Sequence, residues 1–234
     1  MGKIQKENEK ENKLKPVNIK VKTKNGETVI IHFGRSDKLG NKIVHFSLPR
    51  VITCPGRTRW CEVFCYAAYG RHIFPSVKKA RIENYELTKR DDFTKIMVAA
   101  IKKLREKGFE ILRLHEEGDF YDKVYIEKWI EIARRLKENK VNVIIYAYTK
   151  SWRVKELLPY LEELKKNENV VLIASTDSFS GSPPEGWKEA GIEFCYNQPA
   201  ILCPHDAGKV PSCSDCLLCV RAHVNVYFKA KYTN

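Results

Sequence analysis

Two periods of apolar residues divide this chain. Residues 17–23, 28–33 and 42–48 alternate or run apolar, with Asn25-Gly26 and Gly40-Asn41 between them. Alternation punctuated by such turns predicts a small N-terminal β-meander. From residue 76 the spacing becomes helical. Residues 76–90 predict one helix, and a second, capped by Asp91 or Asp92, ends at Gly108. A strand at 110–115 then precedes a helix at 122–139, whose apolar positions include Val124, Trp129, Ile132, Ala133 and Leu136. The alternation continues with a strand at 141–148, a helix at 153–167, a strand at 169–175, a short helix at 184–190 and a strand at 192–196.

Strands apolar on both faces and separated by helices predict a parallel sheet covered by helices. The units are too few to close an eight-stranded barrel. The expected fold is α/β, a partial (β/α) barrel or open sheet spanning residues 16–200, preceded by a disordered basic tail at 1–15. Residues 201–234 keep no period and predict a cysteine-rich, metal-organised appendage.

This layout locates a site. Parallel α/β folds build their sites at the carboxyl ends of the strands. Those ends carry a cysteine loop after 42–48, His115-Glu116-Glu117-Gly118-Asp119, Tyr148-Thr149-Lys150-Ser151, Ser175-Thr176-Asp177 and Cys195-Tyr196-Asn197-Gln198. Packing gives no reason for polar groups to gather there.

Seven of the eight cysteines fall in two groups. Cys54, Cys61 and Cys65 have gaps of six and three residues; Cys203, Cys213, Cys216 and Cys219 have gaps of nine, two and two. Free cysteine is a small hydrophobe with no reason to recur every three residues, so the spacing asks for a multivalent ligand. Two successive two-residue gaps aim three thiolates at one cluster, as in bacterial-type ferredoxins, and the distant Cys203-Pro204 completes a set of four. Zinc, which takes paired cysteines across a long spacer, is the alternative. His205 and His223 are substitute ligands or plain surface histidines. Three thiolates on a loop after the first barrel strand resemble the cluster of radical S-adenosylmethionine (SAM) enzymes, with one iron left open for the cofactor. The usual gaps there are three and two, from which this chain departs. Cys195 can close that cluster as a fourth ligand, and Tyr66 follows the last cysteine as an aromatic neighbour.

In HEEGD, Gly118 permits a tight turn where backbone can approach a ligand. Glu117 and Asp119 can accept hydrogen bonds from an amino group or a ribose, and His115 can donate a proton or serve as a ligand. A bare turn, with Asp122 as a helix cap, explains the same residues without function. Lys150 and Arg153 suit a carboxylate or phosphate, or simply a solvated helix start. Lys150, Asp177 and Asn197 are expected to face substrate. Trp129, Trp152 and Trp187 are expected in the core.

Composition narrows the partners. Lys and Arg number 42 against 29 Asp and Glu, a net charge of +13, which invites nucleic-acid binding. Lysines that alternate with glutamates, as in YLEELKKNEN, instead read as solvated helix faces. Glutamine is confined to Gln5 and Gln198, a composition associated with heat-adapted proteins. Apolar runs stay short of the roughly 20 residues of a membrane span, and the N-terminus lacks the apolar core of a signal peptide. A cytoplasmic location is expected, where cysteines bind metals or do redox work more often than they form disulfides.

CPG…WCEVFCYA, VKKARIENYELTKRDDF, LRLHEEGDFYDKVYIEKWIEIA, YAYTKSWR and the terminal CSDCLLC together resemble the gene product 88 family of phage-associated and prokaryotic proteins, over residues 42–222. The resemblance implies that the seven grouped cysteines, with His115, Gly118 and Asp119, are the family's fixed residues. It implies no particular reaction.

The resulting expectation is an iron–sulfur redox enzyme with two [4Fe-4S] clusters. The first would reduce SAM or another small molecule, and the second would relay electrons from a donor protein. Glu117, Gly118, Asp119, Tyr66 and Asn197 would hold the cofactor, and His115, Asp119, Lys150 and Asp177 would serve the reaction. The alternatives are a basic nucleic-acid-binding or regulatory protein stapled by clusters or zinc, and an electron-transfer or redox-sensing module. No oligomeric state follows from the sequence.

Overall fold

A computed structural model describes residues 14–192 and 199–229. Strands β1 (Val17–Lys22) and β2 (Thr28–Phe33) form an antiparallel hairpin. Their inward positions Ile19, Val21, Val29, Ile31 and Phe33 are buried, as half-buried strands require. The expected third strand of a meander, β3 (Ile43–Phe46), lies elsewhere. It is the edge of a seven-stranded parallel sheet, joined to the end of the hairpin by the bridge of Gly34 to His45 and by Phe46 packing on Phe33. Its four residues are all buried, which a strand covered on both faces needs and a meander strand does not.

The sheet runs β3, β4 (Ile111–Leu114), β5 (Ile144–Thr149), β6 (Val170–Ser175), β7 (Lys188–Ile192), β9 (Val226–Phe228), β8 (Ile201–Leu202). The first five strands lie side by side in chain order. Between them run α1 (Arg59–Phe64), α2 (Pro75–Lys89), α3 (Phe93–Glu106), α4 (Lys123–Glu138) and α5 (Leu158–Lys165). Asp122 caps α4, its carboxylate accepting from Tyr125 N at 2.7 Å. Asp92 stands at the N-cap of α3 with no such bond, its carboxylate taken by Arg90 at 2.8 Å.

Three expectations are corrected. Residues 184–190 do not form a helix: Pro183-Pro184 and a turn at Gly186, with φ +75°, lead directly into β7, four residues before the strand expected at 192–196. The rest of that expected strand, and Cys195 and Asn197 with it, lies outside the described residues. The helix expected at 153–167 is shorter, because a 3-10 turn at Ser151–Arg153 precedes α5. The C-terminal segment is not a separate appendage, since β9 pairs between β7 and β8 and so belongs to the same sheet.

The two faces of the sheet differ. Val44, Phe46, Leu112, Leu114, Ile145, Ala147, Leu172 and Ala174 point into one large core with the hairpin and α3–α5, where Trp129, Phe93 and Tyr125 are among the bulky groups fully buried. Trp152 and Trp187 are buried in that core as expected. Alternate residues, including Ile43, Ile111, Tyr146 and Ile173, form a smaller cluster on the opposite face, and Cys213, Leu217, Cys219 and Val220 pack against it. There the short helices α6 (Cys213–Cys216) and α7 (Leu218–Arg221) cover the sheet.

Candidate functional site

The loop after β3 carries the first three cysteines and is held by neighbours on three sides. Gly118 lies at φ +84°, and a Cβ there would stand 2.6 Å from Thr53 Oγ1 and 2.7 Å from Leu48 Cβ. Glycine therefore supplies both the left-handed turn and the room for the β4 loop to back onto the cysteine loop. Gly56, in Cys54-Pro55-Gly56, is equally confined: a Cβ would meet the Lys150 carbonyl oxygen at 2.0 Å. Val51 takes φ +72°, a left-handed conformation that a β-branched residue adopts only when its surroundings impose it.

Side chains complete the frame. Buried Asp119 accepts from Thr149 Oγ1 (2.6 Å), Phe120 N (2.8 Å) and Lys150 N (2.8 Å), tying the ends of β4 and β5 together. Burial raises its proton affinity, and these bonds pull the other way. Arg153 donates to Gly56 O (2.8 Å) and Ser180 O (2.9 Å), so its guanidinium clamps the cysteine loop to the loop after β6. Thr58 caps α1 and donates to Asp177 Oδ2 at 2.7 Å, with Cys61 Sγ 3.4 Å away. Asp177 also pairs with Lys150 Nζ at 2.9 Å. Burial acts against its charge, yet Lys150 and Thr58 hold the carboxyl below its ordinary range.

Within this frame Cys65 and Cys61 lie near enough to Cys54 to bear on its charge. Cys54 is pushed up to about 12 by burial, by the Asp119 carboxylate, and by Cys65 and Cys61. The second group is likewise drawn together. Burial raises Cys213 to about 11, with Cys219 and Cys203 adding to it. Burial also raises Cys219, beside Cys203, Cys216 and the Tyr148 hydroxyl that hydrogen-bonds its sulfur. All seven described cysteines are free. Among the described residues, no three His, Cys, Asp or Glu side chains form a ready site for a metal ion.

The second group is fastened across the sheet. At one edge, Cys213 N and Ser214 N donate to Lys38 O (2.7 Å) and Leu39 O (3.1 Å), and Lys38 Nζ pairs with Asp206 at 2.9 Å. From β7, inside the sheet, Lys188 Nζ donates to the carbonyls of Cys219 and Ala222. His205 stands 3.5 Å from Asp206, and His223 is exposed.

Polar groups unforeseen in the sequence line the face beneath. Register places His45, Arg113 and Tyr146 in one row across β3, β4 and β5. The Arg113 guanidinium lies 5.2 Å over the Tyr148 ring, and its Nε is buried without a hydrogen-bond partner. Its charge reaches Tyr66, just after the first thiol group, and Cys213 in the second. Beside it, His45 Nε2 pairs with Glu116 at 2.9 Å, and Arg81 Nε and His72 Nδ1 hold Glu117 at 2.8 and 3.2 Å. Burial opposes ionisation of Glu116, but His45 and Arg113 hold it well below the usual carboxylate range. The available signal was an arginine, and two tyrosines two residues apart, inside otherwise apolar strands.

The expected site residues thus separate. Tyr66, Glu117, Gly118, Asp119, Lys150 and Asp177 surround the first thiol group. Asp119 and Glu117 are occupied by protein donors, which suits them to positioning. His115 turns away: at φ +60° its ring enters the aromatic core, with Nε2 2.9 Å from Tyr125 Oη and its centroid 4.6 Å from Phe120. Burial, with Arg113 nearby, lowers its pKa to about 3, so it stays neutral.

The family model described as "Gene product 88" matches residues 5–200. The "Gene 88 protein" of Mycobacterium phage L5 is 27% identical over 202 residues, covering 75% of this chain and 81% of its own. That of Mycobacterium phage D29 is 25% identical over 203 residues, with the same coverage. No solved structure matches. Among the described residues, no helix is long and apolar enough to cross a membrane.

Proposed function

This chain belongs to the Gene product 88 family, and we propose that it is an iron–sulfur redox enzyme with a partial (β/α) barrel and two [4Fe-4S] clusters. The observation that carries the proposal is that two separate thiol groups, three and four in number, belong to one parallel sheet, the first on the loop after β3 and the second packed through Cys213 and Cys219 on one face. Strands adjacent in chain order, with α3–α5 against a single face, support the barrel assignment, since a doubly wound sheet would carry such helices on both faces.

The donor set fits the clusters. Cys203, Cys213, Cys216 and Cys219 supply four thiolates from within one wrapped segment, a full complement for one cubane. Cys54, Cys61 and Cys65 supply three, leaving an iron open unless Cys195 closes it. A cluster held by Cys54, Cys61 and Cys65 would supply a single electron to a small molecule bound at its open iron, SAM being the cofactor proposed.

The protein's own share is positioning and charge. Asp119 and Thr149 tie the strand ends together, and Arg153 and Thr58 hold the cysteine loop against them. Lys150, paired to Asp177 and 3.2 Å from Ser175 Oγ, presents a cation at the same edge. Arg113, whose charge reaches Cys213 and Tyr66, and Tyr148, which donates to Cys219, offset the negative charge that thiolates bring to a buried face.

The test is a set of serine variants prepared without oxygen and reconstituted with iron and sulfide. Cys61→Ser/Cys65→Ser should halve the visible cluster absorbance and abolish reductive SAM cleavage. Cys216→Ser/Cys219→Ser should halve the absorbance by removing the other cluster. Cys195→Ala should leave both intact, and loss of the first cluster in that variant contradicts the open site.

A further inference from the structure

Part of the basic surface is neutralised locally. On α4, Arg134 pairs with Glu131 and Glu138, and Arg135 pairs with Glu131; Lys137 reaches Glu168, and Lys166 reaches Glu163. The rim around the first thiol group is different. Residues 50–79 carry six basic side chains, all exposed, against Glu62 alone. Arg57 reaches Glu62 at 3.6 Å and Lys79 reaches Glu83 at 3.8 Å. Among the described residues, the side chains of Arg50, Arg59, Arg71 and Lys78 have no ion-pair or hydrogen-bond partner.

The same stretch exposes apolar rings. Eight of the thirteen large apolar side chains exposed among the described residues fall between residues 51 and 74, among them Phe64, Tyr66 and Phe74. Trp60 packs on Phe64 with ring centroids 4.6 Å apart, which makes a broad aromatic step beside Cys61. Such a concentration of exposed apolar surface marks an interaction site. A self-docking face would set this unpaired positive charge against its own copy. Arginines interleaved with open aromatic faces suit a flexible polyanion whose bases are free to stack.

We propose that this rim binds single-stranded nucleic acid. Phosphates lie on Arg50, Arg59, Arg71 and Lys78, and unpaired bases stack on the Trp60–Phe64 step and on Phe74. One nucleotide is thereby presented to the first thiol group. The proposal names the substrate class of the site described above and rests on that reading only for the chemistry that follows binding.

A fluorescein-labelled single strand of mixed sequence, titrated at several salt concentrations, tests it by anisotropy. Arg59→Ala/Arg71→Ala should weaken binding and reduce the log–log salt slope by about 1.4, roughly 0.7 per lost phosphate contact. Phe64→Ala and Phe74→Ala should each cost about tenfold in affinity. Lys137→Ala/Lys166→Ala, on the balanced face, should match the wild type, and duplex of the same sequence should bind more weakly. Thermal melts and metal content on the same samples separate failure of binding from failure of folding or of the metal centre. Rim variants that bind like the wild type, a control pair that loses as much, or rim variants that only dissociate a dimer would overturn the proposal.

Discussion

The two faces of the seven-stranded sheet are built from the same strands and do different work. One face takes Leu112, Leu114, Ile145 and Ala147 into a helix-covered core. The other takes Arg113, Tyr146 and Tyr148, one residue away in each case, in among Ile43, Ile111 and Ile173 beneath the second thiol group, so that a buried cation and phenols interrupt an otherwise apolar face. Because the side-chain period of a strand is two, stability and chemistry are sorted onto opposite faces without either interrupting the sheet. The helix-covered face should therefore respond to substitution with lost stability, and the polar face with altered thiol chemistry.

The largest effect is expected on the helix-covered face. Trp129 is fully buried against Phe46, Phe93 and Tyr125, and Trp129→Ala should cost about 4 kcal/mol in urea unfolding. Gly118, where the faces meet at the strand ends, comes next. Gly118→Ala adds a left-handed conformational cost to overlap with Thr53 and Leu48, for a loss of roughly 3 kcal/mol. Gly26, at φ +81° and with nothing within 4 Å of where an added methyl would stand, isolates the first contribution: Gly26→Ala should cost about 1 kcal/mol. Equal losses at the two glycines would mean that the β4 loop does not press on the cysteine loop.

His115 sharpens the comparison through pH. Its pKa falls from 6.5 in the unfolded chain to about 3 in the fold. The unfolded state therefore takes up a proton first, and stability falls as pH drops from about 6.5 toward 3, by up to about 1.4 kcal/mol per unit. Subtracting the pH profile of His115→Asn from that of the wild type should leave this slope. A flat difference between pH 6.5 and 5 would place the imidazole in solvent. The smallest effect belongs to the polar face. Tyr148→Phe removes the hydroxyl at Cys219 and should shift unfolding by about 1 kcal/mol or less. The reactivity of the Cys219 thiol in alkylation should change in the same variant.

The sequence was most legible where one pattern decided the structure. Strands β4 to β6 and helix α4 were evident because long apolar runs and helical spacing leave few alternatives. Strand β7 was not, since Lys-Glu-Ala-Gly-Ile carries helix formers and becomes a strand only beside β6. Strands β8 and β9, of two and three residues, are too short to show any period. Thiol spacing marked both cysteine groups. The row of His45, Arg113 and Tyr146 depends on register across three strands, which no local pattern encodes. His115 was drawn to the site by its neighbours in sequence, and its left-handed backbone turned it into the core instead.

The central claim is that the seven grouped thiols hold two iron–sulfur clusters, and metal analysis tests it most directly. Iron, acid-labile sulfide and zinc should be measured per chain on protein purified without oxygen. About eight irons with matching sulfide are predicted. One or two zincs with little iron would contradict the redox assignment and leave a zinc-stapled, basic binding protein.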